Sequence, residues 1–163
     1  MFLRDPASLA GSLRDPVFAI VGRHADAVTW EKLHAMARAA EKTEDQNRYY
    51  AALQGVKDEA LARRALALAR TEDRPFAQWF GIVSSVANEH PELAWEFART
   101  HAAELIAKVP ESGAFATRNT YFAGIAAPLS DAARADELEI FVREKVGPNA
   151  AAETAKVAEA IRF

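Results

Sequence analysis

Apolar residues recur along this chain three and four positions apart, and strict alternation is hard to find. Trp30, Leu33, Ala37 and Ala40 fall on one helical face. Tyr49, Leu53 and Val56 form a second, and Leu61, Ala65 and Leu68 a third. Phe76, Trp79, Val83, Val86 and Ala87 follow, then Trp95, Ala98, Ala102, Leu105 and Val109 in what reads as one helix. Phe115, Phe122, Ile125 and Leu129 come next, then Leu138, Phe141 and Val142, and last Ala150, Thr154, Val157 and Ile161. Thr43 and Gln46 have the spacing of a capping box at the start of the Tyr49 helix.

Turn signals separate these segments at Gly55, at 73–75, at His90-Pro91, at 110–113, at 128–131 and at Gly147-Pro148. They recur roughly every 17 to 20 residues, so a helical hairpin repeats at about the period of helical-repeat arrays. Several helices carry apolar residues on more than one face; Leu93 and Phe97 lie off the stripe begun by Trp95. A helix between two neighbours needs two buried faces. The expectation is one all-α domain over 1–163: an α-solenoid of stacked antiparallel helix pairs, HEAT/armadillo-like, with about eight or nine helices. At the N-terminal end Phe2, Leu3, Leu9 and Leu13 are apolar with no polar capping helix before them. Terminal repeats normally carry a polar outer face, so a fragment of a longer protein is expected.

Composition narrows the function. Lys and Arg number 20 against 23 Asp and Glu, a net charge of −3, and no basic stripe marks a nucleic-acid binder. Cysteine is absent, which removes disulfides, thiolate metal sites and a cysteine nucleophile. A reducing compartment is compatible, and the cytoplasm is the expected location. The N-terminal stretch is broken by charges and prolines and is no signal peptide. No apolar run approaches the roughly 20 residues that cross a bilayer. Nucleotide, phosphate-loop and G-x-S-x-G motifs are missing.

His90 and His101 frame the segment HPELAWEFARTH. On one helix they would stand roughly 16 Å apart, whereas zinc needs each nitrogen at about 2 Å. Pro91 suits a first helical turn, which leaves His90 in the loop before it. His24 and His34 have no partner at H-E-x-x-H spacing. The carboxylates Glu41/Glu44, Asp58/Glu59 and Asp136/Glu137/Glu139 read as helix-start or solvated acids, and Arg63, Arg64 and Arg70 as a solvated helix face. Arg118 is the one charge on the stripe of Phe115, Phe122, Ile125 and Leu129. It is either a snorkelling or internally paired side chain, or a cation facing a groove that takes a peptide carboxylate.

The order TWEKLHAMARAAEKTEDQNRYYAAL, DEALARRALALA, VSSVANEHPELAWEFARTHAAEL and DELEIFV resembles the C-terminal helical domain of zinc aminopeptidases of the aminopeptidase N type, as in the endoplasmic-reticulum peptide-trimming aminopeptidases. Asn88 followed by Leu93-Ala94-Trp95-Glu96-Phe97 is the most recognisable piece, and the similarity runs from about Asp15 to Phe163. The resemblance implies a non-catalytic domain that caps the catalytic cleft and bounds a peptide chamber. It implies that zinc belongs to an upstream catalytic domain of the same polypeptide, so this chain has no cofactor, no metal ligand and no catalytic residue of its own, and is inactive alone. Peptide substrate and the upstream domain are then the partners, with neither nucleic acid nor membrane. Some peptide-trimming relatives hold the peptide with a basic residue before the Leu-Ala-Trp helix; Asn88 and Glu89 stand there in this chain, so that contact is not carried over. Arg48, Asn88 and Arg118 are the chamber candidates. The alternative is a free-standing helical-repeat adaptor that binds a protein or peptide partner.

Overall fold

The computed structural model describes residues 5, 8–71, 76–109 and 118–163, with 76–80 described in their backbone alone. The turns expected at 73–75 and 110–113, and the side chains of Phe2, Leu3, Phe76, Trp79 and Phe115, lie outside the described residues. The described residues are all-α, with ten α-helices and no strand. Contacts divide the chain into two compact units, Met1–His90 and Pro91–Phe163.

The first unit holds α1 (Gly11–Arg23), α2 (Ala27–Ala39), α3 (Thr43–Gln54), α4 (Glu59–Leu68) and α5 (Phe76–Ala87). Asp26 and Asp58 start α2 and α4, each carboxylate accepting from a backbone N–H one turn on, Thr29 at 2.7 Å and Leu61 at 2.9 Å. The capping box expected at Thr43 is not formed: Thr43 is already helical, and Lys42 takes the cap position without a side-chain bond. The first helical hydrogen bond there runs from the Gln46 N–H to the Lys42 carbonyl, so helix formation begins one residue earlier than the box requires.

α3 is the centre of this unit and packs on α1, α2, α4 and α5. That position explains its two buried faces: Tyr49 and Leu53 on one side, Tyr50 and Gln54 on the other, with Val56 buried just past the helix end. Trp30 and Leu33 of α2 are fully enclosed, and the Trp30 indole N–H donates to the Leu53 carbonyl at 3.4 Å. Arg64 is exposed, as expected, yet its guanidinium lies 4.4 Å from the centre of the Trp30 ring and pairs with Glu31. It therefore covers the core as well as facing water. α1 approaches α3 through Phe18, whose ring lies 4.9 Å from that of Tyr49, and through Gly22.

The second unit holds α6 (Pro91–Thr100), α7 (Ala102–Lys108), α8 (Arg118–Ala126), α9 (Ala132–Phe141) and α10 (Ala151–Arg162). A π-helical turn over Val142–Val146 and a 3-10 turn over Pro148–Ala150 join the last two. The single helix expected from Trp95 to Val109 is two, because the backbone breaks at His101, with φ −107° and ψ 22°. The apolar stripe survives the break, since Ala98, Ala102, Leu105 and Val109 are all buried. Gly147, at φ 118°, ends the π-turn in a conformation that a side chain would resist. Trp95, Phe122 and Phe141 form an aromatic cluster between α6, α8 and α9, with ring centres 5.3 Å and 5.1 Å from Phe141.

In both units, helices pack on others near them in sequence, as stacked helix pairs do.

Acid should loosen the first unit. The backbone N–H of Thr29 holds the Asp26 carboxyl below its ordinary value of 3.8, and the Arg64 hydrogen bond holds Glu31 below 4.5. Both folded values lie below the unfolded ones, so this stabilisation is complete above the unfolded values and is lost as pH falls through the folded ones. Melting temperature is expected to fall between about pH 5 and about pH 3. Thermal scans of the Asp26→Asn, Glu31→Gln double variant should show a shallower acid limb; an unchanged limb would refute the assignment.

Candidate functional site

His90 stands just before α6, and its Nε2 meets the Val56 carbonyl at 2.9 Å. Next to it, Glu89 pairs with Arg23 of α1, and the Lys57 N–H donates to the Arg23 carbonyl at 2.9 Å. These bonds fasten the end of the first unit to its own body. His101 lies in the second unit, its ring 4.5 Å from that of Phe97 and its Nδ1 4.0 Å from a Glu104 oxygen. His34 lies between Trp30 and Tyr50, and His24 is exposed at the end of α1. Among the described residues no three His, Cys, Asp or Glu side chains stand together as a metal ion would require.

The three chamber candidates fall in different settings. Arg48 of α3 is buried, its side chain 6% exposed, and it binds three carboxylates: Asp15 of α1, Asp45, and Glu44 at 2.8 Å. Its hydrogen bond to Asp15 raises its pKa further, so the guanidinium stays positively charged among the three acids. Asn88 is exposed just past the end of α5 in the same unit. Arg118 belongs to the second unit, where it opens α8, is half-buried, and donates from its terminal nitrogen to the Val109 carbonyl at 3.2 Å.

The carboxylate run Asp136/Glu137/Glu139 was expected to be solvated throughout, and Glu137 departs from that. It is half-buried, accepts from the Trp95 indole N–H at 3.0 Å and from Arg134 at 2.7 Å, and pairs with Arg99. A signal was present in the sequence, because Trp95 buried in a core needs an acceptor for its N–H. The partner depends on how α6 crosses α9, which spacing along the chain does not encode. Asp136 and Glu139 instead hold Arg162 of α10, at 2.6 Å and 2.9 Å.

Two open grooves mark the surface of the second unit. One, of about 710 Å³, is lined by Ala102, Ala103, Ile106 and Ala107 of α7 together with Arg99 and Arg118. The other, of about 450 Å³, is lined by Ile140 and Phe141 of α9 with Arg134 and Glu137. Both grooves are lined by Arg99, Glu144 and Lys145. Their size suits a ligand with several groups to place.

The described residues thus form two all-helical units, in which Arg48, Glu137 and Arg162 brace helices and Arg99 and Arg118 line open grooves. The sequence profile of the ERAP1-like C-terminal domain matches residues 2–162. The chain belongs to this family, the C-terminal domain of aminopeptidase N-type enzymes. The match extends about a dozen residues before Asp15, where the resemblance read from the sequence began. No curated protein matches the chain. No helix among the described residues is long and apolar enough to cross a membrane.

Proposed function

We infer that this chain is the non-catalytic C-terminal domain of a zinc aminopeptidase, joined to an upstream catalytic domain, whose cleft it caps and whose peptide chamber it bounds. The family match over residues 2–162 carries the reading. In it, zinc and the hydrolytic groups belong to the catalytic domain, and the enzyme is cytoplasmic. Arg48, Asn88 and Arg118 would face the peptide or brace the wall around it, and Arg118 lines the larger groove. An adjoining domain also accounts for an apolar surface: Leu13 and Ile20, two turns apart on α1, are 52% and 62% exposed, and Val28 at the start of α2 is 62% exposed.

The test uses the complete reading frame, expressed with and without the codons for these 163 residues. The longer protein should contain an H-E-x-x-H helix and bind zinc. Removing this domain should lower kcat/KM for a peptide of about ten residues by about tenfold relative to a single-residue anilide, because only the long substrate reaches the chamber wall. The 163-residue chain alone should hydrolyse neither. Aminopeptidase activity in the isolated chain, or a reading frame without H-E-x-x-H, overturns the proposal.

A further inference from the structure

We propose that the paired grooves of the second unit bind an extended peptide through an internal acidic side chain, with Arg99 as the anchor. This rests on the peptide-chamber reading and adds which peptides the domain selects.

Arg99 lines both grooves and sits on α6 beside Glu137. Glu137 is itself fixed, by the Trp95 indole N–H and by Arg134. The guanidinium of Arg99 is therefore held in place before any ligand arrives. Its side chain remains 37% exposed. A guanidinium presents five donors in a rigid fork, so one carboxylate contact leaves donors directed elsewhere. Preorganisation of this kind removes the ordering cost that weakens most surface ion pairs.

The surroundings specify the rest of the ligand. Arg118 and Lys145 add positive charge to the larger groove against Glu144 alone. Its lining includes Ala102, Ala103, Ala107 and Ile106, small and apolar side chains that offer apolar contact to a peptide. The smaller groove offers Ile140, 46% exposed, and Phe141, and its cations Arg99, Arg134 and Lys145 are balanced by Asp136, Glu137 and Glu144, so the excess of positive charge lies in the larger groove. Arg99 lines both grooves, together with Glu144 and Lys145, so a ligand that occupied both would pass it, which distinguishes the two sources of a peptide carboxylate. A terminal carboxylate at Arg99 would end the chain there and leave one groove empty. A glutamate or aspartate side chain reaches Arg99 while the backbone runs on into both.

The test measures anisotropy of fluorescein-labelled, C-terminally amidated peptides of about nine residues on the 163-residue chain. A peptide with a central Glu should bind about tenfold more tightly than its Gln counterpart, the size of one charge-assisted hydrogen bond. Raising the salt from about 0.05 M to about 0.5 M should shrink the difference. Arg99→Gln should abolish the preference. Lys145→Gln changes an exposed residue, so it should fold normally while reducing the preference; circular dichroism checks both variants. Equal binding of the Glu and Gln peptides overturns the acidic-side-chain assignment and leaves the chamber standing. Binding that depends only on a free C-terminus assigns the site to the terminal carboxylate, and no binding of any peptide removes the site; both overturn the proposal. The chamber reading is judged separately, by hydrolysis in the full-length protein.

Discussion

Gly22→Ala is expected to lower stability by about 3 kcal/mol, the upper range for overpacking a close contact. A Cβ at Gly22 would overlap the carbonyl oxygen, carbonyl carbon and Cα of Ala52, all backbone atoms of α3. No rotamer change relieves that overlap, so α1 must move off α3. The move would also separate the Phe18–Tyr49 ring contact and the Arg48–Asp15 ion pair. Melting temperature should fall by roughly 6 to 12 °C. Gly124→Ala is the control. Gly124 is exposed on α8 with nothing near the position of a Cβ, so alanine there should stabilise by about 1 kcal/mol through helix propensity. If the two substitutions shift the melting temperature alike, the close approach of α1 and α3 is wrong.

Trp95→Ala should cost about 3 to 5 kcal/mol, the range for removing a large buried aromatic. Trp95 is 1% exposed and packs edge-on against Phe141, so the loss opens a cavity between α6 and α9. It also removes a hydrogen-bond donor from Glu137, leaving that carboxylate to Arg99 and Arg134. Trp95→Phe separates the two effects. It keeps most of the volume and loses only the indole N–H, for an expected cost of about 2 kcal/mol, typical of a hydrogen bond to a charged group. Urea denaturation followed by helical circular dichroism measures both. Equal costs for the two variants would mean that packing against Phe141 contributes little.

These two sites differ in how far they can be read from residue order. Trp95 lies on a helical stripe with Ala98, Ala102 and Leu105, and all four are buried. Helical period alone foretells that, because side chains three and four positions apart share a face whatever the helix packs against. Gly22 carries no such signal, since a lone glycine reads equally as a turn, a flaw in a helix or a close contact. Arg48 and Glu137 teach the same lesson for charges. Arg48 is surrounded by acids, two of them near it in sequence and one, Asp15, on another helix. Glu137 sits in a run of three acids that sequence treats alike, yet it alone faces Trp95. The break at His101 leaves no mark in residue order, because the apolar stripe continues across it without a change of phase.

By itself the sequence determined the helical class, the helix faces, the turns at Gly55, His90-Pro91 and Gly147-Pro148, and the family, since each depends on local spacing and on the order of segments. Tertiary structure alone decided that Gly22 meets Ala52, that Glu137 rather than its neighbours fixes Arg99, and that Arg99 borders two grooves. Those relations join residues on different helices. Their geometry is set by how the helices cross, a quantity to which distant residues contribute together and which no short stretch of chain specifies.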